Sequence, residues 1–300
     1  MYRLLTRTLF WLPSVLVVLA VGPARATEYA APMDKSEWQV SSSIFACEMN
    51  QPVPYYGNAR FYRRAGEPLT LELLPYTPRL ESGKARLVAR APVWRPDGAD
   101  INLGLIPVTR GERPVGLDNK LSNRALTELH GGRELVFTRY PWYGASESSR
   151  IALSPVNFQA AYGQYLQCLG SLLPVNYDQI ARSAVYFPSS GDDFPPAENR
   201  KLRHIATYVL ADPQIGHLFI DGHTDSKGLR DENLELSKRR AESVAAFLRN
   251  LGVPADMITV RWHGERYPVA SNQSRVGRAQ NRRVTVRVDK REDQTVAAAE

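Results

Sequence analysis

The segment His217-Leu-Phe-Ile-Asp-Gly-His-Thr-Asp-Ser-Lys-Gly228 joins an apolar run to a polar turn. Leu218 and Ile220 share one side of the run, which predicts a β-strand whose apolar side faces a core. We expect the strand to end near Gly222. Its other side and the following turn carry two histidines and two aspartates, at positions 217, 221, 223 and 225.

These four side chains are of the types that ligate metal ions. Because the strand is predicted to end before Asp225, however, they are not expected to share one face. A metal site also needs three or four converging ligands and a supporting layer of hydrogen bonds. The remaining histidines are predicted to lie in other contexts: His130, His204 and His263. We therefore expect no metal ion and no other cofactor.

The chain of 300 residues is long enough for about two domains. Its formal net charge is +7, from 38 Lys and Arg against 31 Asp and Glu. The basic residues are not concentrated on one element, as they are in most nucleic-acid-binding proteins, so we expect no nucleic-acid partner.

Residues 1–26 have the features of a secretory signal peptide. Arg3 and Arg7 precede a short apolar run, and Ala24-Arg-Ala26 forms a small-residue cleavage site. The run is shorter than the roughly 20 residues that span a membrane, and no cysteine follows Ala26 to carry a lipid. These features predict cleavage and export to the periplasm.

The exported chain would contain two cysteines, Cys47 and Cys168. They could remain as two buried thiols or form a disulfide, and an oxidising compartment favours the disulfide. A bridge across so long a loop would stabilise the fold by about 4–5 kcal/mol on the chain-entropy model.

Residues 27–176 have the pattern of a β-rich domain. Short alternating runs are separated by Pro, Gly and Asn clusters: Leu69–Leu73, Arg86–Arg90, Leu103–Ile106 and Glu134–Thr138. This pattern predicts a small antiparallel barrel or sandwich. One predicted helix is capped by Ser122, turns Leu126 and Leu129 inward, and ends at Gly131.

A second helix is predicted from Asn157 to Leu172, because aromatic and leucine residues recur there at helical spacing. We expect these to be core residues: Phe158, Tyr162, Tyr165, Leu166 and Leu169. Cys168 lies near the end of this helix, so a disulfide would fasten it to the strand around Cys47.

Residues 177–290 alternate strands with helices, and residues 291–300 read as a flexible tail. Strands are predicted at Ser183–Phe187, Leu218–Gly222, Met257–Trp262 and Arg283–Val288, and helices at Glu198–Leu210 and Leu234–Leu251. This half is predicted to be a two-layer α/β sandwich, with helices on one face of a small sheet. The whole chain is therefore expected to be of the α+β class.

Four motifs in this half share their order and spacing with one family. They are Gly222-His-Thr-Asp225, Asn233-x-x-Leu-Ser-x-Arg-Arg-Ala241, Gly264-Glu-x-x-x-Pro268 with Ser271-Asn272, and Gly277-Arg-x-x-Asn-Arg-Arg283. Together they resemble the OmpA-like peptidoglycan-binding domain over residues 180–290. The resemblance departs from the family at Glu232, where many members have tyrosine.

The resemblance implies that Asp225 and Arg240 clamp the diaminopimelate of the peptidoglycan stem peptide. The side-chain end of diaminopimelate carries an ammonium and a carboxylate, which an anion and a guanidinium fork would recognise. Asn233 is also expected to cap the helix that follows. Further pocket positions implied by the family are Thr224, Asn233, Leu234 and Arg283. Neither clamp residue is assigned to the apolar core, so the fold is expected to survive their substitution.

The first half is similar to the MotY family of flagellar motor proteins. The likeness rests on the cysteine spacing and on motifs in a shared order: Ser36-Glu-Trp38, Phe45-Ala-Cys47, Pro52-Val-Pro54, Trp94-Arg-Pro96 and Tyr177-Asp-Gln-Ile180. It implies a non-enzymatic periplasmic protein of the basal body, linked to peptidoglycan and the outer membrane. Its N-terminal half would bind the basal body and a MotX-like partner in the T ring, and so help to place stator units.

Three other kinds of protein share some of these features. An outer-membrane protein of the OmpA type would need longer strands with an unbroken lipid-facing stripe. A wall anchor of another envelope machine fits the second half equally well. A peptidoglycan hydrolase would need a nucleophile with a base, or a pair of acids in a cleft, and Asp225 beside Arg240 is in the wrong state for a general acid.

Overall fold

The computed structural model describes residues 27–92, 98–144, 147–189 and 191–291. The predicted signal peptide, the Trp94-Arg-Pro96 motif and all but the first residue of the predicted tail lie outside these ranges. In the described ranges, every helix is too short or too polar to cross a bilayer. The predicted α+β class is confirmed.

The described residues of the N-terminal half form ten strands. They are β1 (Thr27–Ala30), β2 (Gln39–Ser42), β3 (Ala46–Val53), β4 (Gly57–Arg64), β5 (Thr70–Pro75), β6 (Gly83–Arg90), β7 (Ile101–Val108), β8 (Val115–Leu117), β9 (Glu134–Arg139) and β10 (Ser149–Leu153). One sheet has the order β1-β10-β9-β6-β7 and the other has the order β2-β3-β4-β5-β8. Pairing is antiparallel except between β1 and β10.

Alternate residues of these strands face one shared core. In β3 every second residue is buried, and the same alternation continues in β4. Leu71 and Leu73 of β5 meet Leu87 of β6 and Phe137 of β9 in a single apolar cluster. The predicted alternating strands are therefore present, and they form two sheets around one core.

The first helix, α1 (Asn119–His130), starts earlier than predicted. Its N-cap is Asp118, whose carboxylate accepts a hydrogen bond of 2.8 Å from the backbone N–H of Leu121. The prediction of Ser122 as the cap is wrong. The Ser122 hydroxyl is buried and instead accepts a hydrogen bond of 2.9 Å from the backbone N–H of Leu71, which ties the helix to β5. The predicted inward residues are buried: Leu126 and Leu129.

The second helix, α2 (Phe158–Ser171), is linked to β3 by a disulfide between Cys47 and Cys168. Phe158 and Tyr165 are buried as predicted. Leu166 is not a core residue, since 47% of it is exposed. The helical spacing places Leu166 at the border of the buried side of α2, and this border faces solvent.

The C-terminal half is a sheet covered on one face by helices. Its strands are β11 (Arg182–Tyr186), β12 (Ile215–Gly222), β13 (Ile258–Trp262) and β14 (Arg283–Lys290); its helices are α3 (Tyr177–Ile180), α4 (Pro196–Ala211), α5 (Arg230–Asn250) and α6 (Arg275–Asn281). The order is β11-β14-β12-β13, with β12 and β13 parallel. Leu218 and Ile220 pack against Val244 and Leu248 of α5 in a second core, as the pattern of β12 predicted.

The two halves contact each other beside the disulfide-linked strand. Phe45, just before β3, packs against Tyr208 of α4 with ring centroids 5.5 Å apart. Arg64 at the end of β4 forms an ion pair of 2.6 Å with Asp178 of α3. The side-chain amide of Asn176 donates to the Ala65 carbonyl at 3.1 Å.

Candidate functional site

The site begins where β12 ends against α5. A Cβ atom at Gly222 would lie 2.1 Å from the carbonyl oxygen of Ser237, so only glycine permits this approach. The chain then runs as a loop, residues 223–229, to the start of α5. The close approach therefore brings the polar turn of the opening motif next to the helix that carries Arg240.

Backbone hydrogen bonds fix the 223–229 loop to its neighbours. His223 donates its N–H to the Arg283 carbonyl at 2.9 Å, and Thr224 donates to the Gly264 carbonyl at 2.9 Å. Gly264 in turn donates its N–H to the Ser237 hydroxyl at 3.0 Å. The loop is thus attached to β14, to the turn after β13 and, through that turn, to α5.

Two asparagines of the family motifs support the same loop. The side-chain oxygen of Asn272 accepts the Ser226 N–H at 3.3 Å and the side-chain amide of Asn281 at 2.8 Å. Asn281 is fully buried, and its oxygen also accepts the backbone N–H groups of Val269 and Ala270. These motif residues therefore shape the site by holding its loops together.

The Asp225 carboxylate is nearly buried in this loop. One oxygen forms an ion pair of 2.9 Å with Arg282, and the other accepts the Lys227 N–H at 3.1 Å. Sequence reasoning placed Arg240 beside Asp225 and missed Arg282. In the described residues Asp225 forms its ion pair with Arg282 and not with Arg240.

Arg240 is the largest fully buried side chain of the described residues. Its Nε donates to the Gly191 carbonyl and its Nη2 to the Pro188 carbonyl, both at 3.0 Å. The guanidinium lies 5.0 Å from the ring centroid of Phe187. Its third nitrogen, Nη1, is buried and has no hydrogen-bond partner among the described residues.

Burial, together with the nearby Arg282 charge, lowers the pKa of Arg240 to about 10, against the opposing effect of Asp225. Arg240 is therefore still charged at neutral pH. Arg282 is paired with Asp225, whereas Arg240 is near Asp225 and Asp192 but paired with neither, and the side chains of Asp225 and Arg282 are only 10% and 15% exposed. A buried excess of positive charge, with an unpaired N–H, is the environment that an anionic ligand group would compensate.

The other positions implied by the family surround this centre unevenly. Thr224 is buried, and its hydroxyl has no partner among the described residues. Leu234 lines a hollow of about 50 Å³ with His263 and Glu265. Arg283 donates to the Tyr267 carbonyl at 3.2 Å and lies beside His223, so Arg282 rather than Arg283 reaches Asp225.

The prediction that Asn233 caps α5 is wrong. The helix begins at Arg230, and the residue in the cap position is Leu229, which makes no side-chain cap hydrogen bond. Asn233 is buried within the first turns and donates its side-chain amide to Glu265 at 2.9 Å. Its role is to join α5 to the turn that follows β13.

The histidines have partners that the sequence did not reveal. His263 was expected in another context, but its Nε2 lies 2.8 Å from the Asp221 carboxylate and its ring stacks on His223 at 5.0 Å. Asp221 also accepts two hydrogen bonds from Arg261, at 2.7 and 2.8 Å. His217 pairs with the Thr259 hydroxyl at 2.6 Å.

These contacts account for the polar side of β12. Burial opposes ionisation of Asp221, but hydrogen bonds from Arg261 and His263 overcome it and lower the pKa of this carboxyl. Burial, followed by the charges of Arg283 and His263, lowers the pKa of His223 to about 4. Across the part of the chain that the structure describes, no cluster of three or more His, Cys, Asp or Glu could hold a metal ion.

Comparison with known proteins gives matches to both halves. Residues 29–174 match the family model of the MotY N-terminal domain, and residues 186–282 match the OmpA family. The outer-membrane lipoprotein YfiB of Pseudomonas aeruginosa is 44% identical over 104 residues, which cover 35% of this chain and 61% of that protein. The solved peptidoglycan-associated lipoprotein of Burkholderia pseudomallei is 32% identical and covers 37% of this chain and 93% of its own, with a TM-score of 0.35.

One relative is similar along most of its length. The sodium-type flagellar protein MotY of Vibrio parahaemolyticus is 32% identical over 262 residues, which are 86% of this chain and 89% of that protein. The resemblance inferred from the motifs is therefore confirmed. The chain belongs to the MotY family of flagellar motor proteins and carries an OmpA-family domain in its second half.

Proposed function

We propose that this protein is a non-enzymatic periplasmic link between the flagellar motor and the cell wall. Its C-terminal half binds the diaminopimelate end of the peptidoglycan stem peptide. Its N-terminal half binds the basal body together with a MotX-like partner of the T ring, and so helps to place and anchor stator units. The observation that carries the proposal is the buried excess of positive charge around Asp225.

Binding follows from the charges of the ligand and of the site. The ligand ammonium competes with Arg282 for the Asp225 carboxylate. The ligand carboxylate then compensates Arg282 and accepts the free Nη1–H of Arg240. Since the carbonyls of Pro188 and Gly191 already fix Arg240, its fork needs little ordering on binding.

Membership of the MotY family supports the role of the N-terminal half. A motor that exerts torque needs stators that resist the reaction, and a covalent wall provides that resistance. Cleavage of the signal peptide is predicted after Ala26, so the intact mass of the periplasmic protein should correspond to a chain that starts at Thr27. A mass that includes residues 1–26, or a lipid adduct, would contradict export as a free protein.

The decisive experiment is deletion of the gene, scored separately for flagellar assembly and for swimming. We expect flagella that assemble but turn poorly, because wall anchorage of the stators is lost. Complementation with the wild-type chain should restore swimming, and complementation with Asp225→Asn should not restore it fully. Normal swimming after deletion would favour the alternative, a wall anchor of another envelope machine.

Incubation of purified sacculi with the protein tests the absence of enzymatic activity. We expect no soluble muropeptides, because binding by charge pairs breaks no bond. Release of muropeptides above the level of a heat-denatured control would show that the protein is a hydrolase and would overturn this part of the proposal.

A further inference from the structure

An exposed aromatic segment of the N-terminal half takes no part in the contacts described so far. The segment Tyr140-Pro-Trp-Tyr143, here called the aromatic loop, follows β9. Tyr140, Trp142 and Tyr143 are 51%, 46% and 57% exposed, whereas Pro141 is buried and bridges Leu80. The backbone of the loop is thus anchored while its three rings face outward.

Trp142 is held in place even though half of it is exposed. Its indole N–H donates to the Pro78 carbonyl at 2.8 Å, and its backbone N–H donates to the Arg79 carbonyl at 3.1 Å. The guanidinium of Arg110 lies 4.2 Å from the centroid of its ring. A ring that is ordered before a partner arrives loses little entropy on binding.

The composition of this surface is that of a protein contact. Trp, Tyr and Arg are the residues most enriched among those that dominate binding energy in protein interfaces. Solvent-facing apolar clusters of this kind commonly mark interaction sites. In segments 76–84, 107–113 and 139–143, Arg139 pairs with Glu81 and Arg113 with Glu72, which leaves Arg79, Lys84 and Arg110 against Glu112. The surface is therefore basic and favours an acidic partner.

Two other occupants fit less well. A sugar ring needs an open flat ring face, but Arg110 covers the Trp142 ring and the Tyr143 ring stands at 82° to it. A tryptophan at a membrane interface directs its N–H towards the wet side, whereas the indole N–H of Trp142 bonds to Pro78 within the protein.

We propose that the aromatic loop is the docking surface for an acidic protein of the flagellar basal body. This inference rests on the proposed function and assigns its N-terminal contact to named residues. Trp142 and Tyr143 supply the apolar centre of the contact. Arg110 both orients Trp142 and provides positive charge at its edge.

The test is co-sedimentation of the purified protein with basal bodies isolated from a strain that lacks it. We expect Trp142→Ala and Tyr143→Ala to weaken binding at least about tenfold, as for residues that dominate an interface. Arg110→Glu should weaken binding and reduce its dependence on salt. The control is Leu166→Ala, which removes an apolar side chain of similar exposure on α2 and should change nothing. Thermal unfolding of each variant at the wild-type temperature shows that the N-terminal half is folded, and retained sacculus binding shows the same for the C-terminal half.

The outcomes separate this inference from the function on which it rests. Binding of wild type, with equal binding of all variants, would overturn the aromatic loop as the docking surface and leave the proposed function standing. Failure of wild type to bind basal bodies would overturn both. The variants are also tested on anionic lipid vesicles and on sacculi freed of stem peptides. If the substitutions weaken binding to one of these and leave binding to basal bodies unchanged, the partner of the aromatic loop is a membrane or a glycan and not a protein.

Discussion

Replacement of Asp225 by asparagine tests the charge balance of the site with the smallest change in shape. Asparagine keeps one of the two carboxylate oxygens, so it can accept from Arg282 or from the Lys227 N–H but not from both, and it carries no charge. The variant therefore removes the anion that we propose recognises the ligand ammonium. It also leaves the Arg282 guanidinium without its paired carboxylate and removes one of the two carboxylates near Arg240.

The expected loss of binding follows from the burial of the pair. The side chains of Asp225 and Arg282 are 10% and 15% exposed, so solvent screens their charges weakly. Truncation of one partner of a buried charge pair costs about 2–5 kcal/mol in binding, and the retained shape places asparagine near the lower end. A loss of about 2 kcal/mol corresponds to roughly thirtyfold weaker binding.

The variant should also be less stable in the absence of ligand. The charged hydrogen bond of 2.9 Å between Asp225 and Arg282 becomes a bond to a neutral oxygen. Hydrogen bonds to charged groups contribute about 1.5–3 kcal/mol, of which the amide keeps a part. We therefore expect a decrease of about 1–2 kcal/mol in the free energy of unfolding, within the range for single substitutions.

Binding is measured by pull-down on diaminopimelate-containing sacculi, and stability by urea unfolding. Asp289→Asn is the matched control, because Asp289 forms an exposed pair with Arg287 in which both side chains are 42% exposed. Such pairs contribute at most about 1 kcal/mol. Equal sacculus binding by the two variants would refute the assignment of Asp225. Loss of wild-type binding on addition of a chelator would refute the absence of a metal.

Three further outcomes are expected. The protein should migrate faster without reductant, and Cys47→Ser or Cys168→Ser should cost about 4–5 kcal/mol of stability; maleimide labelling of both native thiols would contradict the bridge. Because the pKa of His223 falls from 6.5 to about 4 on folding, the unfolded chain binds the extra proton, so stability should decrease as pH falls through this window. Urea titrations should show a flatter profile for His223→Gln, and parallel profiles would exclude this cause. Arg240→Ala should lower the free energy of unfolding by about 2–4 kcal/mol, because it leaves a cavity and two carbonyls without a hydrogen-bond donor. Thermal melts are the measurement, and those of Arg239→Ala, a substitution at an exposed neighbour, should match wild type.

Periodicity predicted the elements well because it reports which face of each element is buried. Leu218 and Ile220 pointed to the core side of β12, and both are buried there. The helix caps were less predictable, because a serine or asparagine near a helix start has competing uses. Ser122 bonds to a neighbouring strand, and Asn233 bonds to a distant turn. Both choices depend on tertiary contacts that a local pattern does not contain.

The ion pairs at the site also depend on tertiary contacts that a local sequence pattern does not contain. The motif Asn281-Arg-Arg283 offers two adjacent arginines, and successive residues there point to opposite sides. Arg282 turns to Asp225, while Arg283 turns to Tyr267. Which of the two side chains reaches Asp225 depends on how α6 joins β14. The burial of Arg240 was missed for a related reason, since its charge suggested exposure, whereas Phe187, Pro188 and Gly191 contact its guanidinium and the side chain is fully buried. That the fold survives its substitution stays a prediction.

The disulfide lies in the N-terminal half, close to the contacts between the two halves. It joins β3 to α2, and the chain next to each cysteine contacts the C-terminal half. Phe45, two residues before Cys47, packs on Tyr208, and Leu173, just after α2, packs against the core of the C-terminal half. These contacts and the continuous chain between α2 and α3 connect the C-terminal half to the N-terminal sheets. Because the covalent bond holds both contacting segments together, opening it would loosen the junction as well as the N-terminal core.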